Sequence, residues 1–182
     1  ENEGIIEAGR DFVVTARERH AYVRKGGAGY GGRAIRTKAF LYIRNYDSDL
    51  WPAGDPPLYG DVDAHMLHYP CPTKLNMLKN KEEAGTRELF DLAFAKRPAE
   101  ELYDLSQDPF QMKNVAALPE YQEVKGKLSQ QLTDYLKATG DPRETGGAMK
   151  WLNAGYYADV DKTPRPGKEA IEALGLEEEY VY

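Results

Sequence analysis

The chain has 182 residues, 41% of them hydrophobic, which is enough for one ordinary domain with a core of its own. Its formal net charge of −6 and pI near 5.2 exclude wholesale binding to nucleic acid, which draws on a clearly basic domain or stripe. Cys71 is the single cysteine, so no intrachain disulfide framework exists, and no run approaches the ~18 apolar residues of a membrane span.

Residues 1–10 lack a basic segment followed by an apolar stretch, so the start reads as a fragment boundary. Phe12-Val13-Val14-Thr15 is a β-branched and aromatic run that predicts a strand, followed by the charged segment Ala16 to Lys25. Residues 26–32, five of the seven glycine, predict a flexible connection, since each glycine has more conformational freedom to lose on ordering. It lacks the Gly-Lys-Ser/Thr ending of a phosphate loop. Arg33 to Thr37 and Ala39 to Tyr46 read as a hairpin turning near Lys38, with Phe40, Tyr42 and Arg44 on one face against Leu41 and Ile43 on the other.

Between Asp47 and Pro72 the prolines at 52, 56, 57 and 70 block helix interiors and central strands, which leaves a long ordered loop. Threonine oxygens at Thr73 and Thr86 suit helix N-caps, predicting helices from Lys74 to Glu83 and from Arg87 to Ala95. Leu75, Leu78, Leu89, Phe90 and Ala93 are their expected buried sides. Glu101 to Leu105 is a compact strand, and Asp108-Pro109 with Gln111 predicts a short helical turn after it. The clearest helix runs from Pro119 to Ala138, with Tyr121, Val124, Leu128, Leu132, Tyr135 and Leu136 in one stripe, stopped by Gly140 and Pro142. A small helix is expected from Lys168 to Leu174, and Trp151, Tyr156 and Tyr157 mark the turn-rich tail. The predicted class is α+β, a small antiparallel sheet of about four strands packed against a long C-terminal helix, with residues 1–142 as one domain and 143–182 as an extension.

Charge is uneven along the chain. From Arg17 to Tyr46, Arg17, Arg19, Arg24, Lys25, Arg33, Arg36, Lys38 and Arg44 stand against the single acid Glu18. Such a stretch either faces an anion or covers a solvated sheet edge with long side chains.

Three segments in order carry a family likeness: Arg17-Glu18-Arg19-His20; Arg33-Ala34-Ile35-Arg36-Thr37 with Phe40 to Asn45; and Glu101 to Leu105 with Asp108-Pro109 and Asn114-Val115-Ala116. They resemble the C-terminal region of sulfatases. Trp51-Pro52-Ala53-Gly54 and Arg97 to Glu101 narrow the resemblance to the bacterial heparan N-sulfatase-like (sulfamidase-like) enzymes. It implies a sulfatase-like C-terminal subdomain of the alkaline-phosphatase type, beside a large catalytic α/β domain, in a periplasmic or secreted enzyme. The family's chemistry uses a formylglycine made from Cys or Ser in a Cys/Ser-x-Pro-x-Arg motif, beside a calcium held by Asp and Asn. Neither motif is in this chain, so no cofactor and no catalysis are expected from it alone. Cys71-Pro72-Thr73-Lys74 has its proline one place early and lacks the arginine. Asp61, Asp63 and His65 form too sparse a set to predict a metal.

The resemblance further implies that Arg17, Arg19 and His20 face the cleft of the catalytic domain and help select a sulfated glycan. Arginine's planar fork of donors matches sulfate oxygens, and histidine donates to a sugar hydroxyl or an anion. The expected partners are the catalytic domain of the parent chain and the sulfated glycan. The alternative is a non-catalytic module, either binding sulfated polysaccharide or purely structural. Asn114 and Asp104, although part of the likeness, are expected to serve structure. Trp51 and Tyr59 have faces suited to a sugar ring, but buried packing is the simpler expectation for both.

Overall fold

A computed structural model describes residues 9–18, 23–61, 72–149 and 168–176. These fall into two units, one of residues 9–16, 32–44 and 100–147 and the other of the remaining described residues.

The first unit is built on an antiparallel sheet of order β1-β2-β3-β4, with β1 Phe12–Arg17, β2 Gly32–Thr37, β3 Phe40–Asn45 and β4 Glu100–Asp104. All four predicted strands are present, within a residue or two at their ends. The β2–β3 turn is fixed by Thr37, whose Oγ1 accepts from the N–H groups of Ala39 and Phe40. β3 and β4 run antiparallel, with Phe40 opposite Asp104, Tyr42 opposite Leu102 and Arg44 opposite Glu100. Because side chains alternate along a strand, these six residues share one face.

That face meets α3 (Gln122–Ala138), entered through a 3-10 turn at Pro119–Tyr121. Leu128, Leu132 and Leu136, spaced four apart, are buried against Ile35, Tyr42, Leu102, Val115 and Ala116. Burial of each leucine stabilises by about 1.5–3 kcal/mol. Tyr135, expected in the same stripe, is 41% exposed and meets Phe12 edge-on at its margin. Gly140, at φ +73°, ends the helix, and Pro142 opens the one-turn α4 (Pro142–Thr145), capped by Asp141 accepting from Arg143 N–H at 3.0 Å.

Polar pairs tie the sheet to the helix where the leucines end. The Tyr42 hydroxyl donates to Glu100 at 2.6 Å, and Arg44 donates to the Ser129 carbonyl (3.1 Å), Ser129 Oγ (3.0 Å), Thr133 Oγ1 (2.9 Å) and Glu144 (2.5 Å). The Tyr42 bond, assisted by Lys125 and opposed by burial, holds the Glu100 carboxyl below its ordinary value. Burial, reinforced by the Glu100 carboxylate, pushes the Tyr42 phenol up.

Asp108-Pro109 opens one hydrogen-bonded turn, with Gln111 N–H donating to the Asp108 carbonyl at 3.2 Å, that does not continue as a helix. Gln111 takes φ +55°, which no right-handed helix tolerates, and Asp108 Oδ2 instead accepts from the N–H of Lys113 at 2.7 Å. Asn114 and Asp104 do serve the backbone. Asn114 Oδ1 accepts from Leu102 and Ala116 N–H (2.9 and 3.0 Å), and Asp104 accepts from Ser106 N–H and Oγ and from the Tyr121 hydroxyl.

The second unit contains α1 (Pro72–Lys79), α2 (Ala84–Phe94) and α5 (Lys168–Leu174). Both α1 and α2 begin earlier than their threonines predict. Proline's fixed φ and missing N–H suit the first turn of α1. Thr86 lies inside α2, giving its N–H to the Glu83 carbonyl, and Glu83 is the cap. The buried face of α2 is Phe90 and Phe94, a four-residue step, while Leu89 is 54% exposed. With Ala53, Leu58, Tyr59 and Leu78 these phenylalanines form the unit's core, in which Tyr59 lies 5.3–5.5 Å from the ring centres of Trp51, Phe90 and Phe94. Tyr59 is thus packed inside, and Trp51 is half-buried against it. In α1, Lys74 rather than Leu75 is buried with Leu78, its ammonium donating to the Tyr59 carbonyl at 2.7 Å. The predicted helix near Lys168 is present, whereas Trp151, Tyr156 and Tyr157 lie outside the described residues.

Candidate functional site

Of the three residues expected to meet substrate, Arg17 is described, and Arg19 and His20 lie outside the described residues. Arg17 is the last residue of β1. Its side chain is 49% exposed, and its Nη2 donates to Asp61 Oδ2. The same oxygen accepts from Arg24 Nη2 at 2.9 Å. Two guanidinium ions therefore share one carboxylate whose side chain is fully buried.

Arg24 organises the surroundings. It is 2% exposed and donates from Nε to the Trp51 carbonyl (2.8 Å) and from Nη2 to the Pro52 carbonyl (2.6 Å), and its guanidinium carbon lies 5.6 Å from the Tyr30 ring centre. A buried arginine needs its charge and donors satisfied together, and this site does both. The backbone follows the same geometry. Asp55 N–H donates to the Val23 carbonyl (2.8 Å), Lys25 N–H to Asp55 Oδ2 (2.9 Å) and Asp61 N–H to the Ala53 carbonyl (2.7 Å). Gly54 makes the close approach possible. It sits at φ +96°, and a Cβ there would lie 2.8 Å from Val23 Cγ2 and 3.0 Å from Gly60 N.

The glycine connection is anchored at its far end. Gly31 donates to Asp47 Oδ2 (2.8 Å) and accepts from Tyr46 N–H (2.9 Å). At its near end Gly26 and Gly27 take φ +70° and +69°, the left-handed turn that glycine allows.

The basic stretch from Arg17 to Tyr46 is only partly an outward-facing surface. Arg33, with a side chain 1% exposed, forms a two-bond pair with Asp141 (2.7 and 3.1 Å), and Arg44 is taken up by Glu144 and α3. Arg36 and Lys38 are exposed. Asp61 was weighed by sequence only with Asp63 and His65 as a metal set, and its pairing with Arg24 was missed because residues 37 apart leave no local pattern.

No group of three or more potential metal ligands occurs among the described residues. Asp61 is engaged by the guanidinium groups of Arg17 and Arg24. Cys71, Asp63 and His65 lie outside the described residues. No described helix is long and apolar enough to cross a membrane.

Comparison with known proteins finds relatives that are sulfatases. In particular, it is 32% identical over 157 residues to an ulvan-active sulfatase of Formosa agariphila, a match covering 84% of this chain and 27% of that protein. It is 36% identical over 110 residues to another ulvan-active sulfatase of the same organism, covering 60% of this chain and 17% of that protein. The chain thus spans about a quarter or less of the length of these curated relatives. No family model matches it. Among solved structures, a protein assigned as a sulfatase from Bacteroides thetaiotaomicron aligns with 91% of this chain and 23% of its own at TM-score 0.42 and 17% identity. A 2-O GAG sulfatase aligns with 91% and 24% at TM-score 0.41 and 18% identity.

Proposed function

We propose that this chain is the C-terminal, substrate-shaping part of an exported sulfatase that hydrolyses sulfate esters or N-sulfates of a sulfated polysaccharide, with the bond-breaking centre in a catalytic domain of the parent protein. The observation that carries this reading is the 32% identity to an ulvan-active sulfatase across 84% of the chain. Ulvan is the substrate named for both relatives. The Trp51-Pro52-Ala53-Gly54 and Arg97 to Glu101 segments favour the heparan N-sulfatase-like branch, and with it N-sulfated glucosamine.

Within this reading Arg19 and His20 contact the sulfated sugar, and Arg17 supports them. Arg17 is half-exposed at the end of β1, and its planar guanidinium has the donor geometry that matches sulfate oxygens. The described part of the site carries two guanidinium ions on one carboxylate.

The test is made in the parent enzyme. The His20→Ala and Arg19→Ala variants are expected to lose kcat/KM on the sulfated glycan while melting like the wild type, since a substrate contact contributes to transition-state stabilisation. An unchanged kcat/KM removes these residues from the pocket. A parent gene without a Cys/Ser-x-Pro-x-Arg segment rejects the sulfatase reading itself.

A further inference from the structure

The two edges of the sheet differ. The outer edge of β4 is taken up by the chain's own return: Leu102 N–H donates to Asn114 Oδ1 (2.9 Å), and the Leu102 carbonyl accepts from Val115 N–H (2.8 Å). β1, at the other end of the sheet, has a strand neighbour on one side only among the described residues. Beside it lies an open groove of about 360 Å³, lined by residues 9–14 and by Tyr135 of α3. Thr15, Ala16 and Arg17 are exposed, and Val13 is 41% exposed. Natural sheets blunt such an edge with proline, lysine or a bulge, or keep it very short. β1 is six residues long, carries the β-branched run Val13-Val14-Thr15, and contains no proline, glycine or lysine. An edge of that kind is a template for a further strand.

We infer that β1 pairs antiparallel with β1 of a second copy of this chain, joining the two sheets into one. Charge selects that occupant and its register. A two-fold axis perpendicular to the sheet keeps each face continuous, so residues facing across the seam are both odd or both even in number. With the axis on Val14, Asp11 faces Arg17 and Arg10 faces Glu18, each twice because the pairing is reciprocal. Val13 then faces Thr15 and Val14 faces its own copy, β-branched pairs suited to a strand seam. Moving the axis to Val13 sets Asp11 against Thr15 and Arg10 against Ala16, and moving it to Thr15 sets Arg17 against Val13 and Glu18 against Phe12. Neither alternative keeps the two complementary pairs. A seam of this length buries less than the about 1,200–2,000 Å² of a stable complex, so the dimer dissociates on the order of 10–100 μM.

Sedimentation equilibrium of the 182-residue chain is expected to show monomer and dimer exchanging between about 1 and 500 μM. Asp11→Lys sets like charges against Arg17 at both ends of the seam and should weaken the dimer at least about ten-fold. Asp11 is exposed, so the melting temperature should not change. Glu88→Lys, the same change of charge at an exposed position of α2, should leave the dimer as it was. Cysteines in a Cys71→Ser background read the register. In Val14→Cys the two new residues meet across the axis with Cα atoms about 4.5–5.5 Å apart, within reach of a disulfide, whereas in Thr15→Cys they stand diagonally about 7–8 Å apart, beyond it. Mild oxidation is expected to cross-link the first variant and not the second. A chain that stays monomeric to about 500 μM, a dimer unaltered by Asp11→Lys, or equal cross-linking of the two cysteine variants overturns the inference, and leaves the sulfatase reading untouched.

Discussion

Replacing Asp141 by alanine removes the carboxylate that both neutralises Arg33 and caps α4. An exposed ion pair is worth at most about 1 kcal/mol. Here the arginine side chain is 1% exposed and the aspartate 13%, with bonds of 2.7 and 3.1 Å. A guanidinium left without its counter-ion at that depth costs about 3–5 kcal/mol, and loss of the cap adds about 1 kcal/mol. Arg33 keeps a bond to the Gly32 carbonyl at 2.9 Å, which favours the lower part of that range. The two units need not unfold together, so the measurement is hydrogen exchange in peptides of α3. A loss near 3–4 kcal/mol lowers protection there by two to three orders of magnitude, at about 1.4 kcal/mol per decade. Asp141→Asn keeps a cap acceptor and should cost less. The Arg33→Met, Asp141→Asn pair, which leaves no buried charge, should cost less than the sum of its single changes. A protection factor unchanged in Asp141→Ala, or strictly additive losses in the double variant, refutes the reasoning.

Acid sensitivity should follow the same pair. Burial works to raise the Asp141 carboxyl, but the Arg33 guanidinium and the Arg143 N–H outweigh it and hold the group below its ordinary value. The folded state therefore binds the proton less readily than the unfolded one. The stabilisation is fully present above the unfolded aspartate pKa of about 3.9 and is lost as pH falls from there through the folded value, so Asp141→Asn should flatten the stability curve below about pH 4 in an acid titration. Gly54→Ala should cost about 2 kcal/mol or more, read as a lowered Tm, because it combines a φ of +96° with a Cβ 2.8 Å from Val23 Cγ2. Leu132→Ala should cost about 2–5 kcal/mol in a urea titration, whereas Leu89→Ala should stay within about 0.5 kcal/mol, since the first side chain is fully buried and the second 54% exposed.

The strands and α3 were legible because their signals are local and periodic. Phe40, Tyr42 and Arg44 alternate with Leu41 and Ile43, and Leu128, Leu132 and Leu136 repeat at four, whichever partner they meet. α1 and α2 were legible as helices but not in their faces. A threonine is a good cap only where the preceding chain is extended, and at Thr86 the helix had already begun at Ala84. Leu89 and Phe90 are adjacent, and a sequence offers no choice between them until Phe94 and Tyr59 define the inward side. The turn after β4 misled for a similar reason. Asp108 has the composition of a cap, but its oxygen is used by Lys113 five residues on, across a loop whose apex is left-handed at Gln111.

The basic stretch shows why charge counted in a window overstates a binding surface. Arg17, Arg24, Arg33 and Arg44 meet carboxylates at Asp61, Asp61, Asp141 and Glu144, at sequence separations of 44, 37, 108 and 100 residues. Three carboxylates that lie far outside the window offset much of the charge of these four arginines. Arg24 and Arg33 have almost no exposed surface left for a ligand, and Arg44 little. The proposed function accordingly assigns recognition of a sulfated glycan to Arg19 and His20, with Arg17, and not to the buried arginines of the stretch. That concentrates the functional proposal on few residues. Substitution of the buried arginines should register as lost stability, and substitution of Arg19 or His20 as lost kcat/KM at unchanged stability.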